Sequence, residues 1–265
     1  MNIAKFLSLF IAAMAFAMPC RASHTSWEGK NVVFLGDSIT DKCHVGCKTN
    51  YWGFLEQRMK IKPFVYGLNG WAMDGIPLQA ARAHSNLTDR VDAVFIFAGT
   101  NDFNGGVPLG KAYEETIAEV NKGGAIHKLM KREFSFDKNT FHGRLNLALK
   151  SVKEYFPKAQ IVLMTPLHRG YAAFSATNVQ PDERYANWAK LYISDYVQAV
   201  KEAGLNWSVC TIDLYGEANF LPNMATDDEL VANKETDRLH PSTAGHDRIA
   251  RLIEMKMRSI PSSLK

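Results

Sequence analysis

Val32-Val33-Phe34-Leu35-Gly36-Asp37-Ser38-Ile39 joins an unbroken apolar run to a short polar turn. Four apolar residues without alternation fit a strand covered on both faces, as parallel sheets require. Open sheets of that kind build their sites beyond the carboxyl ends of the strands, which is where this turn leaves Ser38. Ser38 is the candidate nucleophile.

The same rhythm recurs along the chain. Phe64 to Gly67, Ala93 to Phe97, Ile161 to Met164 and Val209 to Leu214 read as further strands. Between them Leu145, Leu149, Val152 and Phe156 recur at helical spacing, as do Tyr185, Trp188, Ala189, Tyr192, Ile193, Tyr196 and Val200. Pro241 suits the first turn of a last helix whose inner face is Ile249, Leu252, Ile253 and Met257. Strands alternating with helices predict a mostly parallel sheet with helices on its faces. Residues 103–140 break the rhythm with Asn104-Gly105-Gly106, Gly123-Gly124 and a basic stretch from Lys128 to Arg132. This excursion is expected to carry a helix, and either to wall the substrate pocket or to be an ordinary surface insertion.

Two further segments complete a chemical set with Ser38: Gly99-Thr100-Asn101-Asp102 after the third strand, and Asp237-Arg238-Leu239-His240 near the C-terminus. A serine hydroxyl needs a base within hydrogen-bonding reach to act as a nucleophile at neutral pH. Asp237 precedes His240 by three residues, a spacing that a helical turn would place on one side, so the carboxylate can hold the imidazole tautomer. Asn101 offers a side-chain amide to an oxyanion. His44, His168 and His246 lack such a set and read as structural or pocket-lining, and Asp37 and Asp102 read as loop-fixing acceptors.

In this order the blocks resemble the SGNH (GDSL-type) hydrolase family, over about residues 30 to 258. Ser38 falls in its first block, Gly70 of Asn69-Gly70-Trp71 in the second, Asn101 in the third, and Asp237 with His240 in the fifth. The resemblance implies a three-layer α/β/α sandwich, flavodoxin-like, around a mostly parallel five-stranded sheet, in an exported bacterial esterase-like member. It implies a metal-independent serine esterase with an acyl-enzyme, no cofactor, and an oxyanion hole from the backbone N–H groups of Ser38 and Gly70 and the amide of Asn101. Without a Cβ, Gly70 also lets substrate approach the main chain, although Asn-Gly equally marks a plain turn. Short acyl esters, acetyl groups on carbohydrates among them, are the implied substrates, and lipids and thioesters fall within the same resemblance. Trp71 and Tyr171 are candidate substrate-binding residues. With Trp52 and Phe174 they lean toward a glycan, although aromatic rings build cores as readily as they stack on sugars. The alternative from another class is an inactive glycan-binding module, since a fold does not fix function.

Several readings fall away. The chain of 265 residues with a formal charge of +4 has no block of like charges, zinc-finger spacing or RNA-binding aromatic signature, so nucleic acid is not an expected partner. Ile39-Thr40 replaces the glycine that a chymotrypsin-like Gly-Asp-Ser would carry next, and there is no Gly-x-Ser-x-Gly elbow. No Walker loop, dinucleotide fingerprint or His-Glu-x-x-His is present.

Lys5, the apolar run from Phe6 to Met18 and small residues near Ala22 read as a signal peptide over residues 1–22, with a hydrolase domain over 23–265. The run is shorter than the roughly 20 residues that span a membrane, so no stable span is expected after cleavage, although an uncleaved anchor is the alternative. The expected compartment is periplasmic or extracellular. Ala17-Met18-Pro19 before Cys20 makes a poor lipobox, so a lipoprotein is the weaker reading. In an oxidising compartment Cys43 and Cys47 are expected to pair beside the site, with a zinc site using His44 as the alternative and Cys210 as a buried core thiol.

Overall fold

Burial on both faces is the reason the apolar runs become central strands, and it sorts their side chains into two layers. The computed structural model describes residues 27–262 and 264, so the proposed signal peptide and Cys20 lie outside the described residues. β1 (Asn31–Gly36) buries Val32 and Phe34 against one helical layer and Val33 and Leu35 against the other. The chain continues through α1 (Tyr51–Met59), β2 (Lys62–Val65), α2 (Ile76–Asn86), β3 (Ala93–Phe97) and α3 (Thr100–Asn104). A ribbon of β4 (Tyr113–Lys122) and β5 (Ala125–Phe134) precedes α4 (Phe141–Tyr155) and β6 (Gln160–Met164). Then come β7 (Ala172–Ser175), β8 (Asn178–Gln180), α5 (Ile193–Asn206), β9 (Cys210–Ile212) and α6 (Leu214–Glu217). β10 (Val231–Asn233), β11 (Asp237–Pro241) and α7 (Thr243–Met257) close the described chain.

The main sheet has the order β2-β1-β3-β6-β9, and every pairing in it is parallel. This is the flavodoxin-like layout. Tyr51, Leu55, Ile249 and Ile253 from α1 and α7 fill one face, and Ile76, Ala80, Leu145, Leu149 and Tyr196 from α2, α4 and α5 fill the other. Phe34 is fully buried at the centre, so Phe34→Ala would cost ~3–5 kcal/mol.

Four expectations need correction. β2 lies two residues earlier than the sequence reading, because this strand is the sheet edge, where Pro63 removes no needed donor. β9 stops at Ile212, where the Asp213 side chain caps Gly216 and turns the chain into α6. Residues 185–192 are not helical. The Asn187 Oδ1 accepts the N–H groups of Ala189 and Leu191, Lys190 sits at φ 61°, and α5 starts only where Asp195 accepts the Tyr192 N–H. Pro241 ends β11 rather than opening the last helix, whose cap is the Ser242 hydroxyl accepting from Gly245.

The expected helix in the excursion is also absent: between Asn104 and Phe141 the chain forms the two-stranded ribbon instead. Its rungs run from Tyr113 opposite Phe134 to Lys122 opposite Ala125, and Gly123 and Gly124 turn it at φ 65° and 86°. Two successive positive φ values suit a tight hairpin turn and favour glycine. At its base Phe134 stacks between Tyr113 and Trp207, with centroids 4.9 and 4.3 Å away. Trp207 follows α5 and its indole donates to Asn146 of α4, whose amide also donates to the Ala112 and Ser135 carbonyls, so the base of the ribbon is anchored on α4 and α5.

Candidate active site

β1 and β3 are neighbours, with Gly36 opposite Phe97, and the chain leaves them toward opposite flanks of the sheet. That is the switch point where open sheets leave a crevice. Ser38 follows β1 and Asn101 sits in α3 directly after β3, so the topology brings two distant segments to one crevice. Asp237 and His240 arrive on β11 of a second, antiparallel sheet ordered β10-β11-β7-β8.

The His240 Nε2 lies 2.8 Å from the Ser38 Oγ, and its Nδ1 lies 2.9 Å from the Asp237 Oδ2. Ser38 and His240 are both buried. The three-residue spacing is met without a helix. Asp237 curls back along a strand with irregular register, its Oδ1 accepting the N–H groups of Leu239 and His240 at 3.2 and 3.0 Å. With Oδ1 thus engaged, Oδ2 is left to the imidazole.

Gly70 is exposed at φ 77°, in a turn closed by the Trp71 N–H donating to Leu68. The Asn101 Nδ2 donates to the Trp71 carbonyl at 2.9 Å, which sets the amide beside that turn with its second hydrogen unspent. Among the described residues, no acceptor takes the N–H of Ser38 or of Gly70. The N–H groups of Ser38 and Gly70 and one hydrogen of the Asn101 amide are therefore unspent.

The loops are tied by carboxylates. Asp37 accepts the Ile39 N–H, and burial pushes its carboxyl up to about 7. Asp102 accepts the Met73 N–H at 2.8 Å and Arg144 at 2.9 Å, and burial raises it to about 6. Asp41, which the sequence reading passed over, accepts the N–H groups of Asn69 and Cys43 at 2.6 and 2.9 Å and so joins the serine loop to the Gly70 turn. Its only sequence signal is its place shortly after Ser38.

The predicted substrate-binding aromatics divide. Tyr171 is exposed at the start of β7, and Phe174 is exposed with its ring 5.5 Å from that of His240. The Trp71 ring lies over Gly75 and under Arg82, so what it offers the site is its carbonyl. The Trp52 indole donates to the Thr40 carbonyl and serves the scaffold. His168 pairs with Glu183 at 2.8 Å, His44 meets the Lys48 carbonyl, and His246 accepts the Tyr51 N–H in the core, where burial drives it down to about 3.

The expected Cys43–Cys47 pairing is overturned, whereas the free Cys210 thiol is as expected. Cys43, Cys47 and Cys210 are all free. Cys43 is exposed and its thiol faces the Asp41 carboxylate, which raises its pKa, while half-buried Cys47 is raised to about 11 by desolvation. Cys210 is half-buried rather than a core thiol. No three His, Cys, Asp or Glu among the described residues stand together as metal ligands, so Cys43, His44 and Cys47 do not form the alternative zinc site. No helix among the described residues is long and apolar enough to cross a membrane.

A profile of the GDSL-like lipase/acylhydrolase family matches residues 34–248. Among solved structures the chain is similar to a protein from Lactobacillus plantarum, at 23% identity and TM-score 0.66, over 88% of this chain and 98% of that one. A possible lipase from Chitinophaga pinensis is similar at 21% identity and TM-score 0.63, over 86% of this chain and 98% of that one. A carbohydrate esterase family 3 protein from Talaromyces cellulolyticus is similar at 16% identity and TM-score 0.54, over 87% of this chain and 99% of that one. These likenesses carry the fold. No curated protein matches the sequence.

Proposed function

The chain belongs to the GDSL-like lipase/acylhydrolase family, and on that premise we propose that it is a metal-independent serine esterase removing short acyl groups, acetyl among them, from carbohydrate hydroxyls. The observation that carries the reading is the continuous chain from Ser38 Oγ to His240 Nε2, and from His240 Nδ1 to Asp237, at 2.8 and 2.9 Å. As the Ser38 oxygen attacks the ester carbonyl, His240 takes its proton, and Asp237 holds the imidazolium that results. Negative charge grows on the carbonyl oxygen and is met by the N–H groups of Ser38 and Gly70 and the free hydrogen of the Asn101 amide. Collapse expels the sugar alcohol, which receives the proton from His240. A water then attacks the acyl-Ser38 ester by the same route, with His240 again as base.

One observation supports a glycan as the alcohol part. The exposed ring of Phe174 lies 5.5 Å from that of His240, where a sugar face could stack, and Tyr171 is exposed just before the same strand. Export would bring the protein to such substrates.

A serine-directed fluorophosphonate should label the Ser38 peptide alone, and acetylated xylan or acetylated sialosides should be turned over faster than esters of eight or more carbons. Labelling elsewhere would refute the nucleophile. A preference for long chains would move the assignment to the lipase or thioesterase branch of the proposal.

A further inference from the structure

Arg169 is the largest fully buried side chain among the described residues, at 1% exposure. Its guanidinium has no carboxylate within ion-pair distance among the described residues. Burying a cation without a partner is expensive and persists only where the surroundings hold it. The surroundings here are specific. The Arg169 Nη1 donates to the carbonyl and to the Oγ1 of Thr100, at 3.2 and 3.3 Å, and Nη2 donates to the Gln180 Oε1 at 2.7 Å. The guanidinium carbon lies 5.1 Å from the centre of the Phe103 ring, a cation–π contact. Nε has no hydrogen-bond partner among the described residues, and Arg169 lines a small cavity with Asp37, Thr100 and Leu239.

These contacts link both halves of the site. Thr100 immediately precedes Asn101 and opens α3, while Gln180 belongs to β8, whose partner β7 carries the Phe174 ring against His240. The Arg169 backbone is held in turn, its N–H donating to Glu183 and its carbonyl accepting from Asn223 and Glu183. Burial lowers the guanidinium to about 10, so it stays charged at neutral pH, with Glu183 and Asp37 offsetting part of that burial.

We propose that Arg169 is a positioning residue for the oxyanion side of the reaction: by gripping Thr100 it aims the Asn101 amide, and it ties that turn to the hairpin packed on the base. This rests on the esterase reading given above. A side chain that acts by aiming a transition-state donor should affect kcat rather than substrate binding, and only while the donor is present.

The test is a double-mutant cycle in the full chain, scored with p-nitrophenyl acetate. Arg169→Met should lower kcat by roughly 10-fold to 100-fold with KM unchanged, a fraction of the ~10²–10³ that a whole oxyanion donor is worth. In an Asn101→Ala background the same change should cost less than ~3-fold, because the group being aimed is gone. Arg169→Lys, which keeps the charge but not the planar fork, should recover little. Equal losses in both backgrounds, or a rise in KM alone, would overturn the proposal and leave Arg169 a structural strut. If Arg169→Met does not fold, the cycle is run with Arg169→Lys and Thr100→Val, which are read against the same criteria. Ser38→Ala measured alongside separates the two ideas: full activity there would sink the esterase reading, whereas additivity with an inert Ser38→Ala sinks only the role of Arg169.

Discussion

Around Ser38 the polar groups are buried and tied to segments far away in sequence, whereas along β4 and β5, beyond the Phe134–Trp207 stack at the base, both faces meet solvent and the strands are held by rungs across the ribbon. Ile117 and Met130 face each other there at 70% and 63% exposure, and Glu115 pairs with Arg132 in the open. Exposed pairs of this kind contribute ~0.2–1 kcal/mol each. Near Ser38, by contrast, Asp41, Asp102 and Arg169 each join two loops without solvent competition. The difference teaches that this protein spends its long-range contacts on aiming a few atoms, and leaves the ribbon to local turn chemistry.

The sharpest break of that comparison is at its centre. Ser38→Ala or His240→Ala should each lower kcat by up to ~10⁶-fold, since the pair acts as one unit, and Asp237→Asn should cost less. Steady-state assays on preparations with unchanged circular dichroism decide it. More than half of wild-type kcat in either alanine variant would show that the tightly tied region is not the reactive one.

A second prediction concerns what burial costs there. The Asp37 carboxyl is raised from 3.8 to about 7, so its proton stabilises the fold fully below pH 4, and that stabilisation is lost as pH rises through 7. His246 runs the other way. Depressed from 6.5 to about 3, it contributes stability that is present above pH 6.5 and lost as pH falls through 3. Asp37→Asn removes the first contribution only, so the Tm of the variant relative to wild type should climb between pH 4 and pH 8. At ~1.4 kcal/mol per pKa unit the gain is a few kcal/mol, or several degrees. A Tm difference that does not change with pH would show that Asp37 is ionised throughout.

The smallest effect belongs to the ribbon. Replacing residues 114–133 by Asn-Gly keeps the Tyr113, Phe134 and Trp207 stack and should change kcat and KM by less than ~2-fold. A tenfold loss would show that the ribbon reaches the substrate after all, as one sequence reading allowed.

The sequence missed the ribbon because a hairpin exposed on both faces has no apolar side to write period two into it. Gly123-Gly124 was the available signal, and it points to a tight turn once flanking strands are considered. The helix expected at residues 185–192 failed for a related reason: Tyr185 and Trp188 match a helical stripe, yet they stand at 62% and 93% exposure because Asn187 captures the local N–H groups first. Asp41 carried no signal beyond its place shortly after Ser38, and Arg169 none, since their partners Asn69, Thr100 and Gln180 become neighbours only in the fold.

What the sequence determined alone was the layered sheet and the segments that meet at its edge. Val32 to Leu35, Ala93 to Phe97 and Ile161 to Met164 are apolar on both faces, and such runs are covered only inside a parallel sheet, whose carboxyl ends then carry Ser38 and Asn101. The tertiary structure alone decided how His240 meets Ser38 and how the Asn101 amide is held. Those distances depend on the second sheet that delivers β11, on the Trp71 carbonyl and on a buried arginine, contacts between residues far apart in the chain that no local pattern encodes.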